Sequence, residues 1–219
     1  MKNYYPPLIP NTRYHIFNRG NNRENVFLKH ENYGYFLGKY AKYMSPVLDT
    51  YAYCLLPNHF HLAARVKTWE EIVVAAAESD LPGFKNLAGL GPSIDTNKYV
   101  AKMVSEQFRL CFMSYAKAIN KQEDRVGSLF QKNFKRLIVD SQDYMNHLIQ
   151  YIHANPQLHC IWDDYKEWPY SSFASLLSDG TTKLQRTEVL GWFGGKDGMM
   201  DAHTQYMDFR GIVHLIIED

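Results

Sequence analysis

Apolar and polar positions alternate at two periods along this chain, and each change of period marks an element. Tyr14-His15-Ile16-Phe17-Asn18-Arg19 alternates loosely and stops at Gly20, which predicts a first strand, with Gly20-Asn21-Asn22-Arg23 as a turn. From about Glu31 to Met44 the residues Tyr33, Tyr35, Phe36, Tyr40 and Tyr43 recur at helical spacing, and the pattern breaks before Pro46. Val47 to Leu56 is rich in β-formers and ends at Pro57-Asn58; His59 to Val66 is a second such run, so the pair predicts an antiparallel hairpin. Glu70 to Glu78 fits a short helix, but Pro82-Gly83 and Gly89-Leu90-Gly91-Pro92 punctuate the stretch after it, and residues 70–100 read as an inserted loop. Helical periodicity resumes from about Met103 to Asn120, and Phe134 to Val139 predicts a further strand. Ser141 opens a helix running to about Ala154, with Asp143 in its first turn and Pro156 just beyond its end.

The order is strand, helix, strand, strand, helix, strand, helix. It predicts an α+β fold with a ferredoxin-like split β-α-β-β-α-β core, an antiparallel sheet with helices on one face. The expected division is a core over residues 1–156 and a helical C-terminal extension over 157–219, which holds Trp162, Trp168 and Trp192 and packs on the core.

Composition narrows this picture only a little. The 219 residues are 46% hydrophobic and 21% charged, values that favour a packed domain over wholesale disorder. Sixteen Tyr and twelve Phe suit base stacking and core packing equally, so they decide nothing alone. Cys54, Cys111 and Cys160 match neither CxxC spacing nor a disulfide framework, and are expected to be small core residues in a reducing cytoplasm. No apolar run resembles a signal peptide or a membrane span. The net charge of +1 argues against a nucleic-acid binder, but its distribution is uneven. Lys117, Lys121, Arg125, Lys132, Lys135 and Arg136 face only Glu123 and Asp124, and the compensating acids lie mostly in the tail. A local basic strip binds phosphates even when the total is neutral; a solvated charged face is the competing reading.

Two motifs carry chemistry. In His59-Phe60-His61 on a strand, residues i and i+2 share a face, so two imidazoles project side by side while Phe60 points away. Taken alone, such a pair is more often two hydrogen-bonded histidines than a metal site. In Gln150-Tyr151-Ile152-His153-Ala154-Asn155-Pro156, Tyr151 and Asn155 share one helix face, with His147 a turn earlier on that side. Met145, Leu148, Ile149 and Ile152 make the apolar stripe, and Tyr151 lies at its edge, where a half-buried core tyrosine is the plain reading. The two motifs explain more together. If this helix covers the sheet face of the histidines, a phenol, an amide oxygen and two imidazoles surround one point. A phenol with a pKa near ~10 is a poor nucleophile at neutral pH, so cleaving a phosphodiester with it needs electrophilic help. Two imidazoles and an amide oxygen tolerate Mg²⁺ or Mn²⁺ and leave positions open for phosphate and water.

Tyr53-Cys54-Leu55-Leu56-Pro57-Asn58-His59-Phe60-His61-Leu62 resembles the HUH (His-hydrophobic-His) region of the insertion-sequence single-tyrosine transposases, and more closely that of the REP-associated tyrosine transposases. Tyr14 to Gly20, Gly127-Ser128-Leu129-Phe130-Gln131, Tyr151 to Pro156 and Trp168-Pro169-Tyr170-Ser171-Ser172-Phe173 come in the family's order, covering roughly residues 12 to 175. The resemblance implies that His59 and His61 bind the metal and that Tyr151 is the nucleophile, forming a 5′-phosphotyrosine and freeing a 3′-OH. Asn155 then stands where relatives supply a third ligand, often as Gln. It implies a core that is a transposase-type nuclease of the cytoplasm and nucleoid, acting on single-stranded or hairpin DNA near repeats or element ends. A homodimer is left open. Arg19 and the cations of the basic strip are expected DNA contacts, with Phe130 or Phe134 stacking on a base unless each is buried in the core. The segment 70–100 and the tail beyond about Ser175 have no counterpart. Three other readings compete: a catalytically silent hairpin DNA or RNA-binding module, a phosphoesterase that activates water with a metal, and a small-ligand or interaction protein with structural histidines.

Overall fold

Four strands, β1 (Arg13–Arg19), β2 (Leu48–Leu56), β3 (His59–Val66) and β4 (Lys135–Ile138), form one antiparallel sheet in the order β2-β3-β1-β4. This is the split topology the element order predicts. The computed structural model describes residues 3–77, 84 and 95–205. β2 and β3 pair through the tight Pro57-Asn58 turn, and β1 inserts between β3 and β4 with Phe17 opposite His61 and His15 opposite Ala63. Side chains alternate across a strand, so His15, Phe17, His59 and His61 lie on one face and Ile16, Phe60 and Leu62 on the other.

The second face is covered by α1 (His30–Met44) and α3 (Thr96–Gln122), which pack on each other. Phe36 and Phe112 meet Phe60 there, with ring centroids 5.3 and 5.7 Å away. The histidine face is covered by α4 (Gln142–Leu158), which packs on β2 and β3. Helices therefore lie on both faces, not one. The physical reason is visible in the strands, which are buried at nearly every position of β2 and β3 and so need cover from both sides.

The short helix expected over Glu70 to Glu78 is α2 (Trp69–Ala77), and α3 begins at Thr96, inside the segment read as an inserted loop and well before Met103. Asp95 caps it by accepting from the Lys98 amide at 3.1 Å. Of the residues between these helices only Phe84 and Asp95 lie among those described. Ser141 caps α4 as expected, accepting from the Tyr144 amide at 3.2 Å, and Met145, Leu148, Ile149 and Ile152 are fully buried. Pro156, however, lies inside α4 rather than beyond it. Proline removes one helix donor. Here the end of the helix is held by amides further on, His159 donating to the Asn155 carbonyl at 3.0 Å and Ile161 to that of Pro156 at 2.9 Å.

Residues after α4 close the open edge of β2. The Leu55 amide donates to the Tyr170 carbonyl, and the Ser172 and Gln185 amides donate to Tyr53 and Thr50, each at 2.9 Å. Beyond them lie three short helices: α5 (Phe173–Leu177), α6 (Arg186–Trp192) and α7 (Lys196–Thr204). α7 is tied to α4 by a 2.9 Å contact between His203 Nε2 and His153 Nδ1, and His153 Nε2 reaches Ser172 Oγ at 2.7 Å. Cys54 and Cys111 are buried as expected, whereas Cys160, in the turn after α4, is exposed. No helix among the described residues is long and apolar enough to cross a membrane.

Candidate active site

β3 sets His59 and His61 side by side under α4, with ring centroids 5.2 Å apart and planes nearly perpendicular. Both are buried. His59 Nδ1 lies 2.6 Å from Asn58 Oδ1, whose amide nitrogen donates to the Arg23 carbonyl. An amide oxygen only accepts, so the His59 proton sits on Nδ1 and the lone pair on Nε2. His61 Nδ1 lies 2.9 Å from His15 Nε2, and His61 Nε2 is buried without a hydrogen-bond partner. When His61 Nδ1 is the donor, its Nε2 also presents a lone pair.

Burial keeps these imidazoles neutral. It lowers His59 to about 3, with the charges of His159 and Arg19 adding and the Asn155 side chain opposing. His15 is lowered to about 3 by burial alone, and His61 falls well below the ordinary imidazole value from burial and its histidine neighbours. Neutral imidazole is the form that binds metals, and its second nitrogen is normally oriented by a hydrogen bond, as at both positions here.

α4 brings Tyr151 and Asn155 onto the same face. The Tyr151 ring stands edge-on to His61 at 5.6 Å and to His15 at 6.1 Å. The Asn155 amide nitrogen donates to the Tyr151 carbonyl at 2.9 Å, and its side chain interacts with His59. Tyr151 is 1% exposed, so it belongs to the core and not to the edge of the stripe; His147 is exposed to solvent away from it.

His15 and His159 belong to the constellation and are missed by reading motifs alone. His15 looks like any strand residue until β1 pairs with β3. His159 lies 5.1 Å from His59, ring to ring. Its signal is present in the sequence, because Tyr151, Asn155 and His159 run along one helix face at steps of four. Reading Pro156 as the helix end hides it.

A cavity of about 20 Å³ beside the pair is lined by Arg19, His59, His61, Gln131 and Lys135 among others. That is room for one ion or water molecule. Among the described residues no group of three or more His, Cys, Asp or Glu is placed to hold a metal. The basic strip divides. Arg19 and Lys135 border this small cavity, while Lys117, Lys132 and Arg136 line a groove of about 1130 Å³ between α3 and the segment before β4. Lys121 and Arg125 join neither, and Arg125 pairs with Glu24 at 3.0 Å. Phe130 is buried.

A His-x-His strand and a tyrosine-bearing helix on one face of a four-stranded antiparallel sheet is the arrangement expected of the HUH single-tyrosine class. Comparison with known proteins points the same way. The chain is 30% identical over 130 residues to a Haemophilus influenzae protein provisionally named REP-associated tyrosine transposase, a match covering 57% of this chain and 58% of that protein. It also resembles the solved structure of a REP-associated tyrosine transposase bound to a REP hairpin, with a TM-score of 0.51, 16% identity, and coverage of 83% of this chain and 88% of the other. No family model matches. The chain thus resembles this family in sequence and in fold, while spanning little more than half the length of the curated relative.

Proposed function

We propose that this protein is a metal-dependent endonuclease and strand transferase of the transposase kind. It cleaves single-stranded DNA, at hairpins or element ends, through a 5′-phosphotyrosine. The observation that carries this reading is the convergence of His59, His61, Tyr151 and Asn155 on one covered sheet face, from two elements far apart in sequence.

In this reading the Tyr151 oxygen attacks the scissile phosphorus, the phenol proton passes to solvent, the P–O3′ bond breaks, and the departing oxygen takes up a proton to become a free 3′-OH. His59 Nε2, His61 Nε2 and Asn155 Oδ1 are the atoms that would hold a divalent cation, and the buried, partnerless His61 Nε2 supports the fit. When bound, Mg²⁺ or Mn²⁺ supplies Lewis-acid polarisation of the phosphate and offsets its developing charge. Asn58 and His15 orient the two imidazoles. Arg19 and Lys135, at the edge of the cavity, pair with phosphate oxygens. Binding of hairpin DNA is likewise proposed here, in keeping with the hairpin complex of the structural relative.

The burial of Tyr151 favours a second reading, a recognition module that binds such DNA without cutting it. One experiment separates them. Labelled single-stranded DNA from the flanks of the gene is incubated with wild type, Tyr151→Phe and His59→Ala/His61→Ala, in Mg²⁺ or Mn²⁺ and then in EDTA, and run on denaturing gels. The nuclease reading expects a metal-dependent protein–DNA adduct absent from every variant. Cleavage that survives Tyr151→Phe without an adduct points to a water-using phosphoesterase, and binding without cleavage to the silent module.

A further inference from the structure

We propose that Gln131, in the segment before β4, supplies an oxygen ligand to the divalent cation beside His59 and His61 while α4 covers the sheet. The proposal rests on the metal-dependent reading above and adds a residue to its site. It follows from which groups border the small cavity and which do not. That cavity, about 20 Å³, has room for one ion or water molecule, so an occupant lies against its wall on every side. Tyr151 and Asn155 are not part of the wall. Of the residues that are, Phe17 and Phe60 have no ligating side-chain atom, and Arg19 and Lys135 are cations that donate and do not coordinate. Asn18 is committed elsewhere: its Oδ1 accepts from the Arg19 amide at 2.9 Å, and its amide nitrogen donates to the Gln131 carbonyl at 3.3 Å. Two imidazoles and the Gln131 amide remain.

The backbone of Gln131 is held where a ligand has to stand. Its N–H donates to the Arg19 carbonyl at 2.9 Å, and Arg19 is the residue paired with His59 in the sheet. Phe130, just before it, bridges Gly20, so the segment is fastened to the end of β1. The side chain is half-buried and, among the described residues, has no hydrogen-bond partner. A backbone fixed by its amide, its carbonyl and its neighbour, with the side-chain oxygen uncommitted, is a ligand prepared before its ion arrives. A neutral oxygen beside two neutral imidazoles suits Mn²⁺, and it leaves Arg19 and Lys135 to the phosphate. No spacing rule announces this residue, because Gln131 meets His59 and His61 only through the pairing of β1 with β3.

The test is a titration of the full chain with Mn²⁺ and no DNA, read by loss of the sharp EPR signal of the free aqueous ion. Wild type is compared with Gln131→Leu, Gln131→Glu and His61→Ala, and melting curves in EDTA check that each variant folds. Losing a partner in the outer shell of a metal typically weakens affinity about 10- to 100-fold, so Gln131→Leu, which removes a ligand itself, should raise the Kd about tenfold or more. Gln131→Glu should bind Mn²⁺ at least as tightly as wild type, because a carboxylate is the better oxygen ligand for a hard cation. An unchanged Kd in Gln131→Leu, with binding lost in His61→Ala, overturns the role of Gln131 and leaves the histidine site standing. Equal weakening in Gln131→Leu and Gln131→Glu also overturns it, since that pattern marks a structural part for the segment. Failure of wild type to bind Mn²⁺ overturns both the ligand and the metal site.

Discussion

Replacing His15 by Phe tests how the candidate metal centre is built. His15 touches no substrate in the proposed mechanism; its part is to hold His61 by the 2.9 Å contact between ring nitrogens. Losing such an orienting partner typically weakens metal affinity about 10- to 100-fold, or roughly 1.4–2.7 kcal/mol. With Mn²⁺ at a hundred times the wild-type Kd, the ion stabilises the fold by ~2.7 kcal/mol; a thirtyfold weaker site leaves ~0.9. For a chain of this size each kcal/mol moves Tm by about 2–4 °C, so the metal-induced shift should fall from roughly 5–11 °C to roughly 2–4 °C. In EDTA the substitution should cost little. A phenyl ring fills the same buried place and removes the partnerless His15 Nδ1, which offsets the bond lost at His61, a loss of ~1–3 kcal/mol if it stood alone. The assay is a pair of thermal melts, with and without Mn²⁺, on wild type, His15→Phe and His61→Ala. Equal Mn²⁺ shifts in wild type and His15→Phe would refute the orienting role, and no shift in wild type would refute the metal site itself.

Packing and charge lead to other expectations. Leu148→Ala empties a fully buried position where α4 meets the sheet and should cost ~2–5 kcal/mol, read as a lower urea midpoint; a loss below ~1 kcal/mol would mean that α4 is not packed as described. Gly20→Ala drives a methyl into the Glu24 carbonyl oxygen, a backbone atom, and should destabilise by ~1–3 kcal/mol; an unchanged midpoint would contradict that close turn. Burial holds His203 at about 4, below the ~6.5 of an unfolded imidazole. Between those values the unfolded chain binds the extra proton. The contribution of His203 is therefore whole above pH 6.5 and falls as pH drops toward 4, by up to roughly 3 kcal/mol. His203→Gln should flatten the dependence of the urea midpoint on pH across that window, and an identical profile in the variant would remove His203 as a cause.

The parts of this molecule legible in its sequence are those set by local pattern. The β3 strand matches its apolar run from His59 to Val66, and Ser141 announces α4. The i, i+2 rule places His59 and His61 together, and the stripe on α4 identifies its buried face. What stayed hidden depends on pairings between distant segments. Nothing local says that Phe17 stands opposite His61, so His15 passes for an ordinary strand residue. The two-sided cover of the sheet is likewise a tertiary fact, since α1 and α3 fill one face while the histidine face is filled by α4, which comes after β4. Pro156 misled for a different reason. Proline usually stops a helix, yet here the chain beyond supplies the closing hydrogen bonds, and the extra turn carries His159 to His59. The basic strip, continuous in sequence, divides in space because Arg19 and Lys135 end beside the small cavity while Lys117 and Lys132 face the groove.

The packing of Tyr151 decides which experiment matters most. Its neighbours are the imidazoles that a phosphate must also reach, yet Tyr151 and Asn155 are both sealed and the adjoining cavity holds no more than an ion or a water molecule. In the nuclease reading cleavage requires a movement that uncovers the Tyr151 hydroxyl, opposed by the burial of Leu148, Ile149 and Ile152 on the same helix and by the contacts that His153 makes with His203 and Ser172. Recognition without cleavage requires no such movement. The same atoms serve both readings, and the difference between them is the free energy of uncovering one hydroxyl. A covalent adduct at Tyr151 reports that movement directly, because a sealed hydroxyl forms no adduct.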